Sequence, residues 1–216
     1  MQITTDLAGL RKEYRLQSLL EKDVDGDPIK QFEKWWHEVT ESGIDEANAM
    51  TLATCTREGK PSARIVLLKE FNKNGFVFFT NYESKKGKQL HDNPFASLVF
   101  FWKELERQVR IEGGIEKISE QESDEYFSKR PLESRIGAWS SPQSNVIKSR
   151  EVLEKSFTKF SEKFSLENIH RPPNWGGYIL KPTLIEFWQG GPGRLHDRLQ
   201  YISNEKDSWI IERLAP

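Results

Sequence analysis

The chain has 216 residues, 36% hydrophobic and 30% charged, with 32 basic against 33 acidic side chains and a formal net charge of −1. That balance suits a soluble globular protein and argues against a disordered chain, and it supplies no overall field to draw the molecule onto nucleic acid or an anionic membrane. No apolar run approaches the ~20 residues of a membrane-spanning helix, the N-terminus lacks a basic-then-apolar signal layout, and Cys55 is the only cysteine, so no intrachain disulfide can form. The expectation is a cytoplasmic protein whose anion sites are local clusters.

Taken in chain order, Asp27-Pro28 predicts a capped helix start. Ile29, Phe32, Trp36 and Val39 follow at helical spacing, and Gly43 closes the segment. From about residue 49 the texture changes to strands: Met50 to Cys55, Ser62 to Lys69, Phe76 to Thr80 and Ala96 to Trp102, separated by Arg57-Glu-Gly-Lys60, Asn74-Gly75 and Asn93-Pro94. A longer strand, Glu106 to Ile115, has Val109 and Ile111 on one side and Gln108, Arg110 and Glu112 on the other. Ser119-Glu-Gln-Glu122 has the form of a capping box opening a helix toward Lys129, before Pro131. A further helix fits Ser149 to Phe164, and strands fit Gly177 to Leu180, Leu184 to Trp188, Leu199 to Ser203 and Trp209 to Arg213. Many short strands, few helices and no βαβ alternation predict an α+β, mainly β fold: an antiparallel barrel with peripheral helices.

Four clusters could carry chemistry. Arg64 and Lys69 bracket the apolar run Ile65, Val66, Leu67, Leu68, a pattern that also serves simple solubility. Thr80 to Gly87 follows a strand and opens a helix with Lys85 and Lys86 in its first turn, a place suited to phosphate. Tyr126 and Arg130 are spaced to share a helix face, and Ser134 beyond Pro131 could complete a pocket for a phosphate monoester. Finally, the glycine-rich bend after Trp188 leads to Arg194, His196 and Arg198, expected at period two on one strand face, which calls for an anionic or aromatic ligand. The four histidines are scattered, so no metal is expected.

In this order, these clusters resemble the pyridoxine/pyridoxamine 5′-phosphate oxidases. The likeness runs through Leu105-Glu-Arg-Gln108, Ile136-Gly-Ala-Trp139, Gln143-Ser144, Trp175-Gly-Gly177, Ile185 to Gly191 and the tail Glu212-Arg-Leu-Ala-Pro216, covering nearly all the chain from Arg11 onward. The resemblance implies a split β-barrel homodimer: one FMN-binding domain over 1–216, with 1–45 as a helical lid segment and active sites shared between chains. It implies FMN contacts by Arg64, Ile65, Val66, Leu67, Leu68, Lys69, Phe79, Thr80, Lys85, Lys86 and Gln108, completed by Gln143, Ser144, Trp188 and Arg198 of the other chain. Lys69, Tyr126, Arg130 and Ser134 would hold the substrate phosphate. Arg194, Leu195 and His196 would hold the pyridine ring, Arg194 and His196 being the catalytic pair, and Arg11, Lys12, Glu13 and Tyr14 would close over it. Phe79 stands where a tyrosine is common and Lys85 where an arginine is common; the latter loses a bidentate fork. The implied reaction is oxidation of pyridoxine 5′-phosphate or pyridoxamine 5′-phosphate to pyridoxal 5′-phosphate, with dioxygen reduced to hydrogen peroxide. A flavin reductase-like protein of the same fold would lack the second phosphate cradle, and a non-catalytic carrier of FMN or pyridoxal phosphate would keep both.

Overall fold

Alternation of apolar and polar residues organises most of this chain. In the computed structural model, which describes residues 14, 16–165, 168–204 and 208–216, that alternation becomes nine strands, with five α-helices, among those residues. In order they are α1 (Pro28–Glu41), β1 (Ala49–Cys55), β2 (Pro61–Leu67), β3 (Glu70–Asn72), β4 (Gly75–Asn81), α2 (Lys85–Asp92), β5 (Phe95–Trp102), β6 (Arg107–Lys117), α3 (Glu120–Ser128), α4 (Leu132–Ser140), α5 (Arg150–Ser165), β7 (Trp175–Gln189), β8 (Asp197–Ser203) and β9 (Trp209–Arg213). The strand pairs β1–β2, β1–β5, β3–β4, β4–β7, β7–β8 and β8–β9 are all antiparallel, as expected of this α+β, mainly β chain. The chain divides into two compact units: a terminal unit of Met1–Ala47, Phe100–Arg110 and Leu184–Pro216, and a central unit of Asn48–Val99 and Ile111–Thr183.

In the central unit β1 pairs with β2 from Ala49↔Leu67 to Cys55↔Pro61 and with β5 around Leu52↔Leu98. β4 pairs with β3 and, from Phe76↔Leu180 to Asn81↔Trp175, with β7. Met50, Leu52, Phe76, Phe78, Leu98 and Leu180 are buried together as its core. Ser84 caps α2 by accepting from the Gly87 N–H at 3.2 Å. Ser119 and Glu122 make the reciprocal capping box of α3. In the terminal unit Asp27 caps α1, whose buried face, Phe32, Trp35 and Val39, packs Phe32 against Phe100 and Trp35 edge-on to Phe187. Arg107 is buried there, stacked over Trp35 and bonded to Glu38, Gln189 and Gln17. Arg213 ties Glu21, Asp197 and the Leu19 carbonyl together, and its hydrogen bond draws the Glu21 carboxyl down to about 2.

Several sequence expectations are corrected. Gly177 to Leu180 and Leu184 to Trp188 are not two strands but parts of β7. Pro182 lies between the part of β7 paired with β4, which ends at Leu180, and the part paired with β8, which begins at Leu184, so neither of these two ladders needs its missing N–H. Leu132–Ser140 is a helix that no periodicity announced. Arg194 and His196 do not sit on a strand: Pro192–Arg194 is a 3-10 turn with positive φ at Gly193 (60°) and Arg194 (64°), and β8 starts only at Asp197.

The α2 turn generates a stability test. A Cβ at Gly87 would lie 2.2 Å from the Tyr82 carbonyl oxygen, a backbone atom that cannot swing aside. Gly87→Ala should cost about 1–3 kcal/mol in chemical denaturation despite alanine's better helix propensity, and an unchanged or raised midpoint would contradict the packing described.

Candidate active site

β2, β4, α2 and the corner between α3 and α4 bring their polar side chains around one cavity of about 720 Å³ in the central unit, a size usual for small-molecule sites. Five cations line it, Arg64, Lys69, Lys86, Lys129 and Arg130, and no carboxylate does among the described residues. Clustered like charges destabilise a fold, so the arrangement calls for an anion.

Arg64 projects from β2, where its Nη1 donates to the Leu52 carbonyl at 3.0 Å and Thr54 Oγ1 at 2.7 Å. Lys86, in the first turn of α2, donates to Thr80 Oγ1 and Gln143 Oε1, both at 3.2 Å. Burial, and then the charge of Arg64, hold the Lys86 ammonium below the usual lysine range. Lys85 and Ser144 line an adjoining cavity that shares Arg64, Lys86 and Gln143. Gln143, implied by the resemblance to serve another chain's site, thus contacts Lys86 of its own.

At the α3–α4 corner Tyr126, Lys129, Arg130 and Ser134 line the cavity. Tyr126 and Arg130 do not share one helix as expected, since α3 ends at Ser128; the turn into α4 brings them together, with the Arg130 N–H bonded to the Phe127 carbonyl. Tyr126 stacks on Phe79 at 3.8 Å between ring centroids, Phe79 stacks on Trp175, and the Arg130 guanidinium lies 4.6 Å over Trp175. A phenylalanine at residue 79 therefore serves as a flat partner for Tyr126. Nη1 of Arg130 is buried with no hydrogen-bond partner among the described residues; a ligand oxygen would satisfy it. Burial raises the Tyr126 phenol above its usual range, partly offset by Arg130, so it stays a donor at neutral pH. Among the described residues no side chain caps the start of α4, which leaves its first N–H groups and their partial positive charge beside Ser134.

Of the β2 run, Ile65, Val66, Leu67 and Lys69 line the cavity, whereas Leu68 is buried with its N–H on the Asn48 carbonyl. Lys129 was missed by the sequence reading; its signal was a cation between Tyr126 and Arg130. Gln108, Trp188, Arg194, Leu195, His196 and Arg198 belong to the terminal unit. There Tyr14, Trp188 and His196 form an aromatic cluster, with Trp188 and His196 4.7 Å apart. The Gly191 N–H donates to His196 Nδ1 at 3.1 Å, so the neutral ring carries its proton on Nε2 and presents a donor. Arg194 and Leu195 are exposed, and Gln108 is half-buried on β6. Arg198 forks onto the buried Glu186 and donates to the Ala215 carbonyl. Arg11, Lys12 and Glu13 lie outside the described residues.

The sequence model of a family described as "Pyridoxamine 5'-phosphate oxidase" matches residues 37–164, and one described as "Pyridoxine 5'-phosphate oxidase C-terminal dimerisation region" matches 175–216. A "Pyridoxine/pyridoxamine 5'-phosphate oxidase" of Cyanothece sp. (strain PCC 7425 / ATCC 29141) is 56% identical over 99% of this chain and 100% of its own length. One of Cupriavidus metallidurans is 55% identical over 98% and 100%. Among solved structures, PhzG from Burkholderia lata 383, in complex with tetrahydrophenazine-1-carboxylic acid, superposes with a TM-score of 0.87 at 28% identity, covering 93% of this chain and 99% of that one. A pyridoxamine 5'-phosphate oxidase-related, FMN binding protein from Nostoc punctiforme PCC 73102 shares the fold, with a TM-score of 0.68 at 20% identity over 86% and 97%. These likenesses bear out the split β-barrel fold class.

Lys86 gives the site a pH signature. Bound anion favours the charged ammonium, so binding takes up a proton wherever free Lys86 has begun to lose one. Inorganic phosphate affinity, measured by calorimetry, should start to fall at a pH below the usual lysine range, and Lys86→Arg should move that fall upward. Identical profiles for the two proteins would remove Lys86 from the anion site.

Proposed function

Because the chain belongs to the pyridoxamine 5′-phosphate oxidase family, we propose that it binds FMN and oxidises pyridoxine 5′-phosphate and pyridoxamine 5′-phosphate to pyridoxal 5′-phosphate, reducing dioxygen to hydrogen peroxide. The observation that carries this reading is a cavity lined by five cations, Arg64, Lys69, Lys86, Lys129 and Arg130, and by no described carboxylate, in which charge gathers at two places. FMN supplies the redox chemistry when bound, taking a hydride from the substrate carbon that bears the alcohol or amine. The chain then has to neutralise two phosphates and align two ring systems. Arg64 and Lys86, with Lys85 beside them, suit the cofactor phosphate. Arg130, Tyr126, Ser134 and Lys69 suit the substrate phosphate, since Arg130 offers a buried donor without a partner among the described residues and Tyr126 a neutral hydroxyl.

In this reading the whole chain works as one FMN-binding domain, with residues 1–45 as its lid segment, and two chains pair through the matched C-terminal region. Arg194 and His196 hold the pyridine ring, His196 donating from Nε2 to its phenolic oxygen, while Trp188 completes the flavin site. Arg198 does so too, and its fork on Glu186 fixes the direction from which it can reach a ligand. A carboxylate ligand like that in the PhzG complex would not call for the separate Arg130–Ser134 cradle, so the cradle favours a phosphate ester.

The purified protein should show flavin absorption bands with one FMN per chain and consume oxygen with either phosphorylated vitamer. Arg130→Leu should keep the flavin spectrum but raise the substrate KM by about 10- to 100-fold, the loss of charge-assisted hydrogen bonds worth roughly 1.5–3 kcal/mol. A protein that stays colourless with added FMN, or an Arg130→Leu variant that loses flavin instead of substrate affinity, would overturn the assignment.

A further inference from the structure

The Arg64 side chain enters a closed polar circuit. Its Nη1 donates to Thr54 Oγ1 on β1 at 2.7 Å, and its Nη2 points to Gln89 Oε1 on α2 at 3.5 Å. A guanidinium can only donate, so Thr54 accepts from it and passes its own hydroxyl hydrogen to Gln89 Oε1, 2.6 Å away. Gln89 Nε2 in turn donates to Ser62 Oγ at 3.3 Å, back on β2. Thr54 is 4% exposed and Gln89 5%, so neither side chain can trade these bonds for water without disturbing the packing between β1 and α2. The direction of every hydrogen in the circuit follows from the one fixed donor at its head.

The chemistry of the acceptors matters as much as their place. The Leu52 carbonyl, Thr54 and Gln89 are all neutral. A carboxylate in their position would hold the guanidinium more strongly but would neutralise the charge that an anion needs. Nearby, burial and then the Arg64 charge hold the Lys86 ammonium below the usual lysine range. Resting on the FMN reading above, we infer that Thr54 and Gln89 are positioning residues: a buried relay of neutral acceptors that aims the Arg64 guanidinium at the cofactor phosphate while leaving its charge intact. Neither touches the reacting atoms; both act through Arg64.

The test compares FMN with riboflavin, which shares the ring but lacks the phosphate, by titrating apo-protein and following flavin fluorescence. Gln89→Glu keeps the side-chain shape and adds a counter-charge. It should weaken FMN on the order of ten-fold or more, leave riboflavin affinity within about two-fold, and keep the apo-protein Tm at or near the parent's, because Arg64 gains an ion pair. Thr54→Val should also lower the preference for FMN over riboflavin, and Thr54→Ser should restore it. That pair supplies the readout even if Gln89→Glu folds poorly. A parent-like FMN-to-riboflavin ratio in both Gln89→Glu and Thr54→Val would overturn the relay while the FMN reading stands. A parent chain that binds FMN no better than riboflavin would instead overturn the reading, and the relay with it.

Discussion

Like charges repel, and the central unit gathers five cations around one cavity that no carboxylate lines among the described residues. Much of the surrounding architecture can be understood as holding those charges in place. Arg64 is fixed by neutral oxygens of β1 and α2. Lys86 is fixed by Thr80 and Gln143. Arg130 is spread over the face of Trp175, an attraction that needs no counter-ion. Each solution orients a cation and leaves its charge available to an anion.

Rigid surroundings make that arrangement possible. Phe79, Tyr126 and Trp175 are near-parallel aromatic rings from β4, α3 and β7, stacked on one another so that none can rotate without unpacking its neighbours. The capping box of α3 sets where Tyr126 falls, and the close approach of Gly87 to Tyr82 sets where α2 presents Lys86. These devices lie outside the cavity or at its edge, yet they fix the positions of the groups inside it.

The terminal unit uses charge differently. Glu186 is buried and forks onto Arg198, with Arg110 also within reach at 3.3 Å. Arg107 is buried against Trp35 and Glu38. A buried ion pair adds little net stability but strongly penalises any arrangement that separates it. The pairs therefore serve to define where β6, β7 and β8 lie against α1 within this unit. The same unit holds His196 in one tautomer through the Gly191 N–H, a bond set by the glycine-rich bend.

Features whose causes are local in the chain were legible in the sequence. Asp27-Pro28, Ser119 with Glu122, and the alternation of Val109 and Ile111 with Gln108 and Arg110 name their elements because caps and period-two burial involve residues near one another. The cations were legible from local patterns of different kinds: Arg64 closes an apolar run, a pattern that also serves solubility, Lys86 falls in a helix's first turn, and Arg130 lies four residues from Tyr126. Tertiary structure alone decided that β7 runs unbroken through Pro182, because that depends on which strands end beside it. It made Leu132–Ser140 a helix and placed Arg130 in the turn before it. It took Arg194 and His196 off the strand, since positive φ at Gly193 and Arg194 spoils the period-two count. It also joined Thr54, Gln89 and Ser62 to Arg64. Their hydrogen bonds span from 10 to 35 positions in sequence, and contacts of that range are set by how strands and helices pack, a property no local pattern of residues encodes.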